Sequence, residues 1–228
     1  NYVMVESYGL AQKMYDNRGK FGGLETGFRD LDVLTDGLQN TDYIVIAARS
    51  SVGKTALSMC IADHIACELG KPIGYFSLEM SKMLMTQRWI ALRAKINMMS
   101  IRQGMMSERD FPAMMAAAET IAKSGMHLDD TSGLSIQDIR ARARRWKKRH
   151  GIVAIFVDYL QLVRSPAHAA FGKAAELTEV SMQMKEMAKE LNLPVICLAQ
   201  INREGGKFAA ANGRPRIEHI KDCGNIEQ

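Results

Sequence analysis

The segment Ala48–Thr55, which reads ARSSVGKT, constrains the fold of this 228-residue chain more than any other feature. It follows the apolar run Tyr43–Ala48 and opens the helical pattern Thr55–Leu69. A Gly-Lys-Thr loop between a strand and a helix is the setting in which loop amides and a helix N-terminus bind phosphate oxygens. The segment therefore predicts an α/β fold with a phosphate-binding loop, although alanine replaces the first glycine of the usual pattern.

Short apolar runs elsewhere in the chain are predicted as strands of the same sheet. With the first run they are Tyr43–Ala48, Ile73–Ser77, Ile152–Asp158 and Leu193–Leu198. Continuous rather than alternating apolar character is typical of strands that are buried on both faces, as in parallel sheets. The helical patterns between them are Thr55–Leu69, Ser81–Ala94, Ile136–His150 and Ala174–Leu191. This alternation predicts a mostly parallel sheet flanked by helices.

Composition excludes some classes of protein and leaves others open. No apolar run approaches the roughly 20 residues of a membrane helix, so we expect no membrane partner. The four cysteines form no CxxC pair, which favours free thiols and a cytoplasmic protein. The net charge of +5 permits a polyanionic partner without requiring one. We expect the basic residues of Ile136–His150 to form a solvated face rather than a DNA-binding helix.

Polar residues at the ends of the predicted strands supply the other parts of a nucleotide site. Lys54 is expected to reach the β- and γ-phosphates, and the Thr55 hydroxyl to ligate Mg²⁺. Asp158 closes an apolar strand as the metal-site carboxylate does in such enzymes. Glu79 is the candidate base that orients water, or alternatively a carboxylate favoured by a helix N-terminus. Gln200, just past the last predicted strand, is a candidate γ-phosphate sensor or an ordinary strand-end polar residue.

The motifs occur in an order that resembles one family. They read Ala-Arg-x-Ser-x-Gly-Lys-Thr, Phe-Ser-Leu-Glu-Met, Asp-Tyr-Leu-Gln-Leu, Leu-Ala-Gln-Ile-Asn-Arg and Gly-Asn-Ile-Glu-Gln. This series is similar to the C-terminal RecA-like ATPase domain of the DnaB-type replicative helicases of bacteria and phages. The likeness extends from Thr26 to Gln228. In that family alanine is usual at the position of Ala48, whereas Ser50 and Val52 stand where proline and methionine are common.

The resemblance implies a role for each matching residue. ATP with Mg²⁺ would be the cofactor, and Thr55 and Asp158 would hold the metal. Glu79, Asp158, Gln200 and Arg88 would be catalytic, with Arg88 approaching the γ-phosphate. The nucleotide-binding residues would be Ala48, Arg49, Ser50, Ser51, Val52, Gly53, Lys54, Thr55 and Ala56. The DNA-binding residues would be Lys221, Asp222 and Gly224.

The resemblance also implies a domain plan and partners. Residues 1–20 would form a linker helix, over Val3–Tyr15, and a connector. Residues 21–228 would form the ATPase domain, truncated before its last strands, so that the family's arginine finger lies beyond Gln228. Single-stranded DNA, a hexameric ring of identical chains, primase and a helicase loader would be the partners of the parent protein.

Two other functions remain open on the sequence. A RecA- or RadA-type ATPase shares the phosphate loop and the sheet, and it would bind DNA without unwinding it. A fragment that binds DNA or assembles without hydrolysing ATP would also fit, because the arginine finger is expected outside the chain.

Overall fold

The computed structural model describes residues 21–201. The predicted linker helix Val3–Tyr15 and the predicted DNA-binding residues Lys221, Asp222 and Gly224 lie outside this range. The strands are β1 (Tyr43–Ala48), β2 (Ile73–Ser77), β3 (Met126–Asp129), β4 (Ala154–Asp158) and β5 (Val195–Gln200). The helices are α1 (Arg29–Thr35), α2 (Lys54–Asp63), α3 (Lys82–Ala94), α4 (Met98–Gln103), α5 (Asp110–Lys123), α6 (Ile136–His150) and α7 (Lys173–Leu191). Among these residues no helix is both long enough and apolar enough to cross a membrane.

The strands form one five-stranded sheet in the order β1-β5-β4-β2-β3. Every pair within it is parallel, which confirms the predicted α/β architecture. The edge strand β3 was missed, because its sequence MHLD is short and carries only two apolar residues. Two predicted strands begin two residues later than expected, at Ala154 and Val195. Ile152 and Leu193 are fully buried, so the apolar run extends beyond the hydrogen-bonded ladder.

The sheet is buried on both faces, as its continuous apolar strands predict. In β2 and β4, Tyr75 and Phe156 stack on one another with ring centroids 5.5 Å apart. They lie in the same cluster as Trp89 of α3. The next residues along each strand, Phe76 and Val157, point into the opposite cluster, which includes residues of α6 and α7. Consecutive strand residues thus enter two different cores, which is what a helix layer on each face requires.

Helix α2 does not continue regularly over the predicted range Thr55–Leu69. It is α-helical over Lys54–Asp63 and then π-helical over His64–Glu68. The helical pattern is correct in length, because the two segments together end one residue before Leu69. The change of helix type is a local detail that apolar spacing does not report.

Helix α6 has the predicted bounds, Ile136–His150. Ser135 and Asp138 form a reciprocal capping box at its start, and Gly151 ends it in the left-handed conformation with φ 64°. Its basic residues are exposed or partly buried, as the expected solvated face requires, but two of them also make ion pairs with α7 that the sequence did not predict. Arg140 and Arg144 bind Glu190 of α7. These ion pairs attach α6 to its neighbour, although Arg144 is itself more than half exposed.

Candidate active site

The loop between β1 and α2 has the backbone shape of a phosphate cradle. Gly53 has φ 110° and caps the N-terminus of α2, and Ser51 also has a positive φ of 65°. The conformation at Gly53 strains any residue with a Cβ, so glycine is required there. Because α2 begins at Lys54, its free amides and the positive end of its dipole face the ligand side of the loop.

A cleft of about 560 Å³ opens at this end of the sheet. The residues that line it are Ser50, Ser51, Gly53, Lys54, Thr55, Ala56, Glu79, Met80, Arg88 and Gln200. The structure therefore brings together residues that are separated by up to 150 positions in the sequence. Of the predicted nucleotide-binding residues, Ala48, Arg49 and Val52 do not line the cleft, and Val52 is 69% exposed.

Asp158 contacts Thr55 across the sheet. The Thr55 hydroxyl donates a hydrogen bond to Asp158 Oδ2 at 2.7 Å, so the predicted metal pair is in direct contact. The strand that Asp158 ends is not paired with the phosphate-loop strand, because β5 lies between β1 and β4. Helix α2 spans this gap and makes contacts with β4 and β5. The first turn of α2 thereby places Thr55 over the end of β4.

Asp158 is a buried carboxylate, and one of its two oxygens accepts no hydrogen bond from the described residues. It is 1% exposed, and its Oδ1 has no hydrogen-bond partner among the residues that the structure describes. Burial raises the pKa of Asp158, and the hydrogen bond from Thr55 and the charge of Lys54 only partly oppose this. A hard cation would satisfy such an oxygen, and Mg²⁺ is commonly held by one or two carboxylates together with ligand phosphates. The donor set of Thr55 and Asp158 therefore fits Mg²⁺ bound with a nucleotide.

The ammonium group of Lys54 lies among three side chains. Its Nζ is 3.8 Å from Asp158 Oδ1 and 3.9 Å from Glu79 Oε2. It also lies 4.6 Å from the centroid of the Tyr159 ring, within cation–π range. The structure thus adds Tyr159, which our sequence reasoning missed. Burial, followed by the charges of Glu79 and Asp158, raises the pKa of the Tyr159 hydroxyl, which keeps it neutral.

Glu79 and Arg88 both line the cleft. The Glu79 side chain is 53% exposed, which leaves its carboxylate accessible to water. Arg88 lies on α3, and its charge acts on Asp158. Arg88 also lines a neighbouring, more apolar cavity of about 450 Å³ between α2, α3 and α4. A carboxylate and a guanidinium at one cleft are suited to orienting water and to neutralising phosphate charge.

Gln200 connects β5 to the phosphate loop. Its Nε2 donates a hydrogen bond to Ser50 Oγ at 2.6 Å. Gln200 is the last residue of β5, so the strand ends two residues after the predicted end at Leu198. Its backbone is bonded to the side chain of Gln161, a residue to which sequence reasoning gave no role. Tyr159 and Gln161 both belong to the motif Asp-Tyr-Leu-Gln-Leu, and this was the available signal.

A family model for the DnaB-like helicase C terminal domain matches residues 23–228. The chain belongs to this family. The replicative DNA helicase DnaC of Bacillus subtilis is 35% identical over 226 residues, covering 99% of this chain and 49% of that protein. The replicative DNA helicase DnaB of Haemophilus influenzae is 37% identical over 227 residues, with 98% and 48% covered. The chain thus spans about half the length of these DnaB-like relatives.

Solved structures share the fold. An ATPase domain of known structure superposes with a TM-score of 0.89 at 30% identity, covering 100% of this chain and 79% of that one. A DnaB-like replicative helicase, studied for its interactions with primase, has a TM-score of 0.88 at 28% identity, with 100% and 54% covered. The chain therefore has the RecA-like ATPase fold of DnaB-like helicases, as the resemblance implied.

Proposed function

We propose that this chain is the motor of a replicative DNA helicase, which hydrolyses ATP to move along single-stranded DNA and separate the duplex. Two observations support this most directly. Lys54, Thr55 and Glu79 line one cleft with Asp158 bonded to Thr55, and the chain belongs to the DnaB-like family. The family match and the names of the relatives favour a helicase over a RecA- or RadA-type ATPase.

In the proposed reaction, the loop amides and the α2 N-terminus bind the phosphates of ATP. Lys54 leaves its carboxylate partners to contact the β- and γ-phosphates, and Thr55 and Asp158 hold Mg²⁺. When bound, the metal neutralises phosphate charge. Water attacks the γ-phosphorus as the bond from this phosphorus to the β–γ bridging oxygen breaks, so that ADP and inorganic phosphate leave. Glu79 accepts the proton of that water, because its carboxylate lines the cleft and is exposed to water. Arg88 stabilises charge on the γ-phosphate, and Gln200 detects that phosphate.

The partners of the parent protein are part of the proposal. The similar DnaB-like replicative helicase of known structure was studied for its interactions with primase, which supports a primase contact here. We infer a hexameric ring with a helicase loader in the cytoplasm, and sequence-independent contacts from Lys221, Asp222 and Gly224 to single-stranded DNA. Such contacts to the phosphate backbone would make binding strongly dependent on salt.

The test replaces Lys54 by methionine, which keeps the aliphatic stem and removes the charge. In the full-length protein, Lys54→Met should reduce ATP turnover at least about 100-fold, the usual scale for one donor to transition-state charge. Unwinding of a forked duplex should be lost in parallel. The matched control is Lys71→Ala, an exposed lysine before the N-terminal end of β2, which should behave as the wild type. Retained turnover in Lys54→Met would refute the site, and binding of DNA without any turnover would favour a non-hydrolysing module.

A further inference from the structure

The pairing between β4 and β5 ends before β5 does. The last paired residues are Val157 and Cys197, whereas β5 continues to Gln200. On the other edge β5 stays paired with β1, where the Ile201 N–H donates to the Ala48 carbonyl at 3.1 Å. The N–H and carbonyl groups of Gln200, which face away from β1, therefore have no partner on another strand among the described residues. Strand backbone groups left without partners are costly when partly buried.

The side chain of Gln161 takes the place of the missing strand. Its Oε1 accepts a hydrogen bond from the Gln200 N–H at 3.2 Å. Its Nε2 donates a hydrogen bond to the Gln200 carbonyl at 3.2 Å. A side-chain amide carries both an acceptor and donors, so one glutamine can satisfy both backbone groups of one residue.

Gln161 lies on a rigid support that is joined to the metal site. It is the central residue of the 3₁₀ turn Leu160–Leu162, which begins two residues after Asp158. Leu160 and Val163 are fully buried on either side of it, and the Leu162 N–H is bonded to the Tyr159 carbonyl at 3.1 Å. The turn therefore holds the amide of Gln161 at a fixed place beside the end of β5.

We propose that Gln161 is a positioning residue, whose amide fixes the backbone of Gln200 so that the Gln200 side chain reaches the phosphate loop. The contact that depends on this position is the 2.6 Å hydrogen bond from Gln200 Nε2 to Ser50 Oγ. The proposal deepens the proposed function, because it rests on Gln200 being the sensor of the γ-phosphate. It connects the turn after β4 to β5 through the side chain of Gln161, and β5 to the phosphate loop through the side chain of Gln200.

The substitutions Gln161→Leu and Gln161→Glu test this proposal. Leucine removes both hydrogen bonds, whereas glutamate keeps the acceptor for the Gln200 N–H and loses the donor to its carbonyl. The matched control is Gln137→Leu, at an exposed position of α6. One measurement is the hydrogen exchange of the Gln200 backbone amide by NMR, in the chain without nucleotide. The other is kcat and KM for ATP in the full-length protein.

In Gln161→Leu we expect exchange of the Gln200 amide to become about five- to tenfold faster, the scale of one hydrogen bond, with the rest of β5 unchanged. In Gln161→Glu this amide should stay protected. Both variants should lower kcat about tenfold with KM within about twofold of wild type, because a sensor acts after binding. The control should match the wild type in every readout.

Unchanged exchange at Gln200 in Gln161→Leu would overturn the proposal, as would a loss of protection spread along all of β5. An unaltered kcat in both variants would overturn it as well. If the wild type itself hydrolyses no ATP, the proposed function fails, but the exchange measurement still decides whether Gln161 positions Gln200. If Gln161→Leu does not fold, Gln161→Glu decides through a reduced kcat with the Gln200 amide still protected.

Discussion

Replacing Asp158 by asparagine separates stability from metal binding at the centre of the site. Asparagine has nearly the same shape, and its carbonyl oxygen can still accept the hydrogen bond from Thr55. The change removes the buried negative charge that lies 3.8 Å from Lys54, and it replaces the second carboxylate oxygen with an NH₂ group. The outcome therefore reports how this buried charge affects the fold and the ligand.

Two opposing energies set the expected change in the free energy of unfolding when the Asp158 charge is removed. Attraction to Lys54 over 3.8 Å is worth about 4 kcal/mol at an effective dielectric constant of about 20. Removing a carboxylate from water costs several kcal/mol. Because the pKa of Asp158 is raised in the folded chain, burial outweighs the attraction. The ionised carboxylate weakens the fold above its folded pKa, and this loss disappears as the pH falls below its unfolded value.

Lys54 keeps Glu79 at 3.9 Å when the Asp158 charge is removed, so we expect Asp158→Asn at pH 7, without nucleotide, to be as stable as the wild type or more stable by up to about 2 kcal/mol. For a chain of this size 1 kcal/mol corresponds to roughly 2–4 °C in Tm. With MgATP at about 100 times its Kd, the wild type should gain about 2.7 kcal/mol. Asp158→Asn should lose the part of this gain that depends on Mg²⁺.

Thermal unfolding of the chain, with and without nucleotide and with Mg²⁺ or EDTA, measures all of these quantities. The control is Asp42→Asn, which has a similar 3.9 Å lysine pair but is 47% exposed and precedes β1 at the opposite end of the sheet. It should change stability by no more than about 0.5 kcal/mol. Destabilisation of nucleotide-free Asp158→Asn by more than about 1 kcal/mol would refute the burial reasoning. A gain from Mg²⁺ equal to that of the wild type would refute the metal role.

Two further substitutions test contacts that the sequence did not reveal. Tyr159→Leu should lower stability in urea unfolding by about 1 kcal/mol, because it loses the cation–π contact with Lys54. Tyr159→Phe keeps the ring and should match the wild type. Equal losses in both variants would show that the hydroxyl, not the ring, provides the stability. Hydrogen bonds from Arg144 and Arg140 lower the pKa of Glu190 to about 2. Because the Glu190 side chain is one-third exposed, solvent screening reduces the stability that this shift represents. Glu190→Gln should therefore lower the free energy of unfolding by about 1 kcal/mol at pH 7. Since the folded pKa is depressed, this contribution is complete above the unfolded value of 4.5 and declines as the pH falls toward about 2, so urea unfolding at pH 7, 4 and 3 should show the difference from wild type shrinking. A difference that stays constant over this range would contradict the assigned ion pair.

Local sequence patterns were sufficient to predict those strands and helices that are marked by an apolar run or by a capping box. The bounds of β1, β2 and α6 were predicted correctly, because an apolar run or a capping box marks each of them. The phosphate loop was predicted from its residues and its position between β1 and α2. The short strand β3 carries no such signal, since pairing with β2 rather than its own composition makes it a strand.

The chemical groups of the site can be read from the amino-acid sequence, because each motif residue has a type that suits one part of nucleotide chemistry. How these groups meet depends on the tertiary fold. The order of the strands places β5 between β1 and β4, so that Thr55 reaches Asp158 across an intervening strand. It also places Gln161 beside the end of β5, on the edge that β4 no longer pairs. Contacts of this kind depend on strand order and register, which are settled by packing between distant segments and leave no local pattern in the chain.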